Sequence, residues 1–310
     1  MLAIVSLIGG LILLLAGGHY LVAGGVSLAR HFNISTLVVG ITVIAFGTSA
    51  PELIVGLKAN LQNYPNIMLG NIIGSSIANV GLVLAVSTVV LPIIIIKGSF
   101  VRDWLIMMGS YVVLGLFFLD GQLDRWEGAV MVVLLLTFIF VSLKRPNTAS
   151  PDSDKQLPEH SLWLAVLMLV GSIAGLSYGA DMIVDGASRI ARIYGVSERV
   201  ISVSLIAVGT SIPELATSLI AAFKKEMDIS VGNIIGSNIF NILGVAGIST
   251  IVSPVFIDRF WQQYMTDMIV MGLFSILLLL AFLPMSRGIF DRWKGALMVV
   301  AYFGYIYLIF

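Results

Sequence analysis

FGTSAPEL at residues 46–53 and VGTSIPEL at 208–215 lie 162 positions apart, and so do GNIIGSSIAN at 70–79 and GNIIGSNIFN at 232–241. The same offset, with no gap, pairs Arg30 with Arg192, Ser35 with Ser197 and Pro92 with Pro254. DRWEGA at 124–129 returns as DRWKGA at 291–296, an offset of 167, so a few residues are inserted in the second copy. Self-similarity at a fixed period marks an internal repeat. Between the copies stands RPNTASPDSDKQLPEH, residues 145–160, a Pro-, Ser- and Asp-rich stretch that reads as a flexible solvated tether. The sequence thus divides into a first copy, 1–144, a linker, 145–160, expected on the cytoplasmic side, and a second copy, 161–310. The strongest matches fall in 40–84 and 202–246.

Composition says where these copies sit. Of 310 residues, 58% are hydrophobic and 11% charged, with a mean hydropathy of +1.03. Soluble domains carry about 25% charged residues, so an ordinary cytosolic enzyme is excluded and an integral membrane protein is expected. Seventeen basic residues balance seventeen acidic ones, which gives no surface for nucleic acid. The absence of cysteine removes disulfides and thiol catalysis, and His19, His31 and His160 are too scattered for a zinc site.

A helix needs about 20 apolar residues to cross the hydrocarbon. Ten candidate spans follow: 2–28, 34–58, 67–92, 101–119, 126–144, 161–185, 197–222, 230–253, 264–284 and 290–309. They are continuous apolar runs rather than alternating ten-residue segments, so the expected fold is all-α with ten transmembrane helices and not a barrel. Each copy holds five spans. Five is odd, so the second copy enters the membrane from the opposite face, and the two halves form inverted repeats, the recurring plan of secondary transporters. With the N-terminus outside, inner loops carry 11 Lys and Arg and outer loops 6, which places both termini outside. MLAIVSLIGG has no basic segment before its apolar run, so a cleaved signal peptide is not expected.

What repeats best is polar. Glu52 and Glu214 each fall about halfway along an apolar span, where a carboxylate costs at least ~2.5 kcal/mol and marks an ion or proton pathway. No basic residue is placed at that depth, so the missing counter-charge is a bound cation or a proton. Thr48 and Ser49 precede Glu52 by four and three residues, on one helix face, as Thr210 and Ser211 precede Glu214. Pro51 and Pro213 clash with the carbonyl four residues earlier, at Gly47 and Gly209, and are expected to kink the helix. The kink can turn the carbonyls of Ala45 and Ala207 toward a ligand. Asn71, Ser75 and Asn79 form a polar stripe at a spacing of four, repeated by Asn233, Ser237 and Asn241. Gly70 with Gly74, and Gly232 with Gly236, allow these stripes to press against the broken helices.

The resulting inventory is all oxygen, which suits hard cations and, with several flexible ligands, calcium more than magnesium. Without His or Cys nearby, zinc, copper and iron are disfavoured. Two carboxylates balance one divalent ion, two sodium ions or two protons. Competition for shared carboxylates is the electrostatic basis of exchange, and preferential occupancy of each state couples the fluxes.

At these residues the sequence resembles the sodium/calcium exchanger family of the calcium:cation antiporter superfamily, whose two alpha repeats the GTSxPE and GNIIGSxIxN segments match over essentially the whole chain. The resemblance implies cation ligands at Thr48, Ser49, Glu52, Ser75 and Asn79 in the first repeat. In the second it implies Thr210, Ser211, Glu214, Ser237 and Asn241, with the carbonyls of Ala45 and Ala207. It implies sodium entry coupled to calcium extrusion, with spans 1 and 6 sliding past a rigid core of eight helices. One departure matters: several members carry Asp where this chain has Asn241. Only two ionisable groups then remain, which leaves cation/proton antiport as the nearest alternative and potassium dependence open.

The expected partners are calcium, sodium and the lipid of a bacterial or archaeal plasma membrane, with no cofactor, no nucleic acid and a monomer as the expected assembly. A cation channel or an intramembrane hydrolase would use the same groups. Inverted repeats favour alternating access over a channel. Near-identical surroundings of Glu52 and Glu214 disfavour acid/base chemistry, which needs the two pushed apart. Trp126 and Trp293 read as interfacial anchors. Asp181 and Asp185 read as interfacial carboxylates.

Overall fold

The computed structural model describes residues 2–94, 97–144, 160–194, 209–282 and 289–309. Helices occupy most of them: α1 (Leu2–His31), α2 (Thr36–Thr48), α3 (Ala50–Leu61), α4 (Pro65–Val90), α5 (Lys97–Phe117), α6 (Arg125–Leu143), α7 (Leu162–Ile193), α8 (Ile212–Phe223), α9 (Met227–Val252), α10 (Phe260–Phe282) and α11 (Arg292–Ile309). Helix is the state these apolar runs require, because inside lipid every backbone donor and acceptor must be satisfied within the protein. Among the described residues seven helices are long and apolar enough to cross a membrane, or eight when α2 and α3 count as one broken span. That is fewer than the ten expected. Much of the expected span 197–222 lies outside the described residues, which resume at Gly209 just before α8. The expected span 290–309 is occupied by α11, 18 residues long.

Among the described residues three stretches widen from α to π winding: Gly40–Ile44 in α2, Asn79–Leu84 in α4 and Phe240–Ala246 in α9. The second and third are repeat equivalents and contain Asn79 and Asn241. Such π turns are rare and concentrate where a helix is reshaped for a site.

The chain folds into two compact units that draw on both repeats: Met1–Ser49 with Arg145–Asn233, and Ala50–Lys144 with Ile234–Phe310. In the first unit α1 lies along α7, with Leu14, Leu21, Val22, Leu169 and Leu176 in a shared apolar core. The helices approach closely because glycines face each other. A Cβ at Gly10 would sit 2.7 Å from the carbonyl oxygen of Gly179, and one at Gly179 would sit 3.0 Å from that of Gly10.

In the second unit the repeated DRWxGA segments acquire a reason. A Cβ at Gly128 of α6 would come 2.7 Å from the Gly247 carbonyl of α9, and one at Gly295 of α11 would come 2.7 Å from the Ala85 carbonyl of α4. These are the same crossing made twice, since Gly247 and Ala85 are also repeat equivalents. Overpacking a close crossing costs about 1–3 kcal/mol. Gly128→Leu and Gly295→Leu should therefore each lower the thermal unfolding midpoint in detergent, and an unchanged midpoint would show that these helices separate freely. The neighbouring Trp126 and Trp293 are 61% and 65% exposed, as membrane-surface anchors are. The copies differ at the next position: Glu127 accepts from the Asp124 N–H at 2.8 Å, whereas Lys294 donates to the carbonyls of Ala281 and Ile289, both at 3.0 Å.

Two short antiparallel ladders finish this unit. β1 (Ile93–Ile94) pairs with β4 (Ile289–Phe290), and β2 (Gln122–Leu123) pairs with β3 (Val255–Phe256). Each ladder joins one repeat to the other, and each turns one side chain per strand inward: Ile93 and Phe290, then Leu123 and Val255. Two-residue strands carry no periodicity that a sequence reading could detect. The extended backbone between helix ends satisfies its donors and acceptors this way.

Candidate cation-binding site

In both GTSxPE segments the backbone leaves helical geometry two residues before the proline. Ser49 has φ −87° and ψ 7°, and Ser211 has φ −89° and ψ 2°, while Pro51 and Pro213 stand in the first turn of the helices that follow. The expected kink is thus a restart. Proline's missing N–H and fixed φ are tolerated in a first turn, where N–H groups have no intrahelical partner. The restart has an electrostatic consequence. Glu52 and Glu214 each fall in the first turn of a new helix, beside its positive end, which stabilises a carboxylate by about 0.3–1 kcal/mol and by up to ~2 kcal/mol when partly buried. Both glutamates are completely buried.

The expected relief of the kink at Gly47 and Gly209 has a second use. A Cβ at Gly47 would lie 2.5 Å from Ile173 Cδ1, and one at Gly209 would collide with Val184 Cγ2. Both glycines leave room for α7 beside the breaks.

In the first unit Ser49 Oγ donates to Glu214 Oε1 at 3.1 Å. The serine of one repeat thereby meets the glutamate of the other. Thr48 Oγ1 lies 3.0 Å from Asn233 Oδ1, and Asn233 Nδ2 donates to Ser218 Oγ at 3.3 Å. Thr48 Oγ1 is also 3.4 Å from the Ala45 carbonyl, which accepts from the Ser49 N–H at 3.0 Å. That oxygen keeps its usual helical partner and has a second lone pair for another. Ser211 is buried, and its Oγ has no hydrogen-bond partner among the described residues. Thr210 is half-buried. Ala207 lies outside the described residues.

The second unit also holds Glu52, Ser75, Asn79, Ser237 and Asn241, all buried. Asn71 Nδ2 donates to the Glu52 carbonyl at 3.3 Å and fixes the first turn of α3. Asn79 Nδ2 donates to Asn238 Oδ1 at 3.0 Å. Asn241 is fully buried, and neither amide atom has a hydrogen-bond partner among the described residues. Leaving an amide so costs about 1–3 kcal/mol per group. Of the expected glycine contacts, Gly232 is pressed on α2: a Cβ there would lie 2.9 Å from the Leu37 carbonyl. At Gly70 and Gly74 a Cβ would meet nothing among the described residues, and the positions equivalent to Leu37 and Ile41, 199 and 203, are not among them.

The sequence profile described as sodium/calcium exchanger protein matches residues 2–144 and 164–310. The chain belongs to the sodium/calcium exchanger family. The inner membrane protein YrbG of Escherichia coli is 36% identical over 291 residues, 89% of this chain and 87% of its own length. The sodium/calcium exchanger MaX1 of Methanosarcina acetivorans is 29% identical over 342 residues, 97% of this chain and 96% of its own. A solved structure of the sodium-calcium exchanger NCX_Mj, soaked with zero Na+ and Ca2+, matches with a TM-score of 0.85 at 32% identity, over 100% of this chain and 99% of that one. The chain is therefore a multi-pass membrane transporter of the cation-antiporter class and not an enzyme.

For this sodium/calcium exchanger family member, one buried residue bonded to an expected ligand, Asn79, escaped the reading of its motifs. Asn238 stands where the first repeat has Ser76, inside the best-matched block. It is also one helical turn from Asn241, a spacing that would have pointed to it. Asp185, read as an interfacial carboxylate, forms an exposed ion pair with Arg189 at 2.8 Å.

Proposed function

We propose that this protein exchanges calcium for sodium by alternating access, in a bacterial or archaeal plasma membrane. In this reading it has ten spans in two inverted five-helix repeats, 1–144 and 161–310, both termini outside and 145–160 as the cytoplasmic linker. The cation ligands are Glu52 and Glu214 with Thr48, Ser49, Ser75, Asn79, Thr210, Ser211, Ser237 and Asn241 and the carbonyls of Ala45 and Ala207. The observation that carries this is the pair of fully buried glutamates, each in the first turn of a helix restarted at an equivalent serine. Two such charges call for one divalent ion or two monovalent ions. Similarity to the sodium/calcium exchanger MaX1 and to the solved sodium-calcium exchanger supports calcium and sodium as those ions.

A second reading, calcium/proton exchange at the same ligands, draws on Asn241, whose amide leaves two ionisable groups where a third would sit. Radioactive calcium uptake into proteoliposomes decides between them. Uptake is expected into vesicles loaded with sodium and not into potassium-loaded controls. Uptake driven by an imposed pH gradient instead would change the coupling ion to the proton, and uptake driven by neither would remove calcium as the substrate.

A further inference from the structure

The two repeat-equivalent asparagines are held differently, and Asn238 is the reason. It is fully buried in α9. Its Nδ2 donates to the Ser76 carbonyl at 3.1 Å and to Tyr111 Oη at 2.9 Å. A backbone carbonyl can only accept, so the face that Asn238 turns to Ser76 carries its nitrogen. Its Oδ1 therefore faces Asn79. An amide oxygen also only accepts, so Asn79 must present Nδ2 to it, at 3.0 Å. The Oδ1 of Asn79 is turned the other way, buried and with no hydrogen-bond partner among the described residues.

Among the described residues Asn241 has no such support. The residue equivalent to Asn238 in the first repeat is Ser76, whose hydroxyl is committed to the Ile72 carbonyl at 2.8 Å. Both amide atoms of Asn241 are buried and lack hydrogen-bond partners among the described residues.

We infer that Asn238 is a positioning residue. It locks the Asn79 amide with oxygen toward the cation, so the first repeat contributes a fixed oxygen ligand while the second contributes an amide free to turn as occupancy changes. This deepens the calcium/sodium reading above and rests on it. Removing the partner that orients a metal ligand typically weakens metal affinity ten- to a hundredfold.

The test is a double-mutant comparison read in two ways: the calcium concentration for half-maximal uptake into proteoliposomes, and that for half-maximal thermal stabilisation of the purified protein. Asn238→Ala should raise both about ten- to a hundredfold. In an Asn79→Asp background the same substitution should raise neither, because a carboxylate presents oxygen on both edges and needs no orienting partner. Asn238→Ser, the residue carried by the first repeat, repeats the comparison if Asn238→Ala does not fold. An equal rise in both backgrounds, or no rise in the wild-type background, overturns the inference. Wild-type protein with no response to calcium in either readout would instead sink the calcium reading itself.

Discussion

Glu52→Gln and Glu214→Gln should each bring sodium-driven calcium uptake down to the level of empty liposomes, while the purified variants keep a monodisperse elution profile and a thermal midpoint at least as high as wild type. The expectation follows from charge. In the proposed site two carboxylates would neutralise a divalent ion; with one amide in place the ion would carry a net positive charge in a desolvated interior. An uncompensated buried ion costs several kcal/mol, and about 4 kcal/mol already corresponds to roughly a thousandfold in affinity. Removing a charge from an apolar span relieves an insertion cost of ~2.5–3.5 kcal/mol, so the fold should not suffer. Normal uptake by both variants would show that the glutamates are not the cation ligands.

Gly179→Leu should prevent α1 and α7 from packing and abolish transport by loss of the folded protein. The nearest atom to a Cβ at Gly179 is the carbonyl oxygen of Gly10, and the reverse substitution meets the carbonyl of Gly179. Backbone cannot rotate aside as a side-chain terminus does, so the helices must separate along a seam filled by Leu14, Leu21 and Leu176. Gly171→Leu and Gly175→Leu supply the comparison on the same helix, because a Cβ at either site meets nothing within 4 Å among the described residues. Those two variants should elute and melt as wild type. Equal damage from all three would mean that leucine is harmful anywhere on α7 and that the seam has no special role.

The sequence exposed the charges and concealed the contacts. Glu52 and Glu214 were legible because an acidic side chain in an apolar span is conspicuous whatever surrounds it. The proline positions announced a broken helix, but the irregular residues are Ser49 and Ser211, since a proline is comfortable as the start of a helix and the backbone turns ahead of it. The spacing of Asn238 from Asn241 was readable but its use was not, because its partners Ser76, Asn79 and Tyr111 lie 162, 159 and 127 residues away in sequence. The division at the 145–160 linker follows the repeats, whereas compactness joins the first 49 residues to 145–233, a choice made by helix faces that a hydropathy count does not resolve. The use of the DRWxGA glycines appears only with the helices that cross at them.

The paired ladders impose an order on the making of this protein. The first compact unit is complete in sequence at Asn233, but the second waits for Ile289 and Phe290 before β1 can be closed. At about 5–20 residues per second, the ribosome needs roughly 3–11 s for the 57 residues from Ile234 to Phe290. During that interval the extended segment at Ile93–Ile94 has been made without its partner strand. A chain stopped short of residue 289 would leave both that edge and the Ala85 crossing open, so termination before that point should mark the nascent protein for degradation rather than produce a shortened transporter.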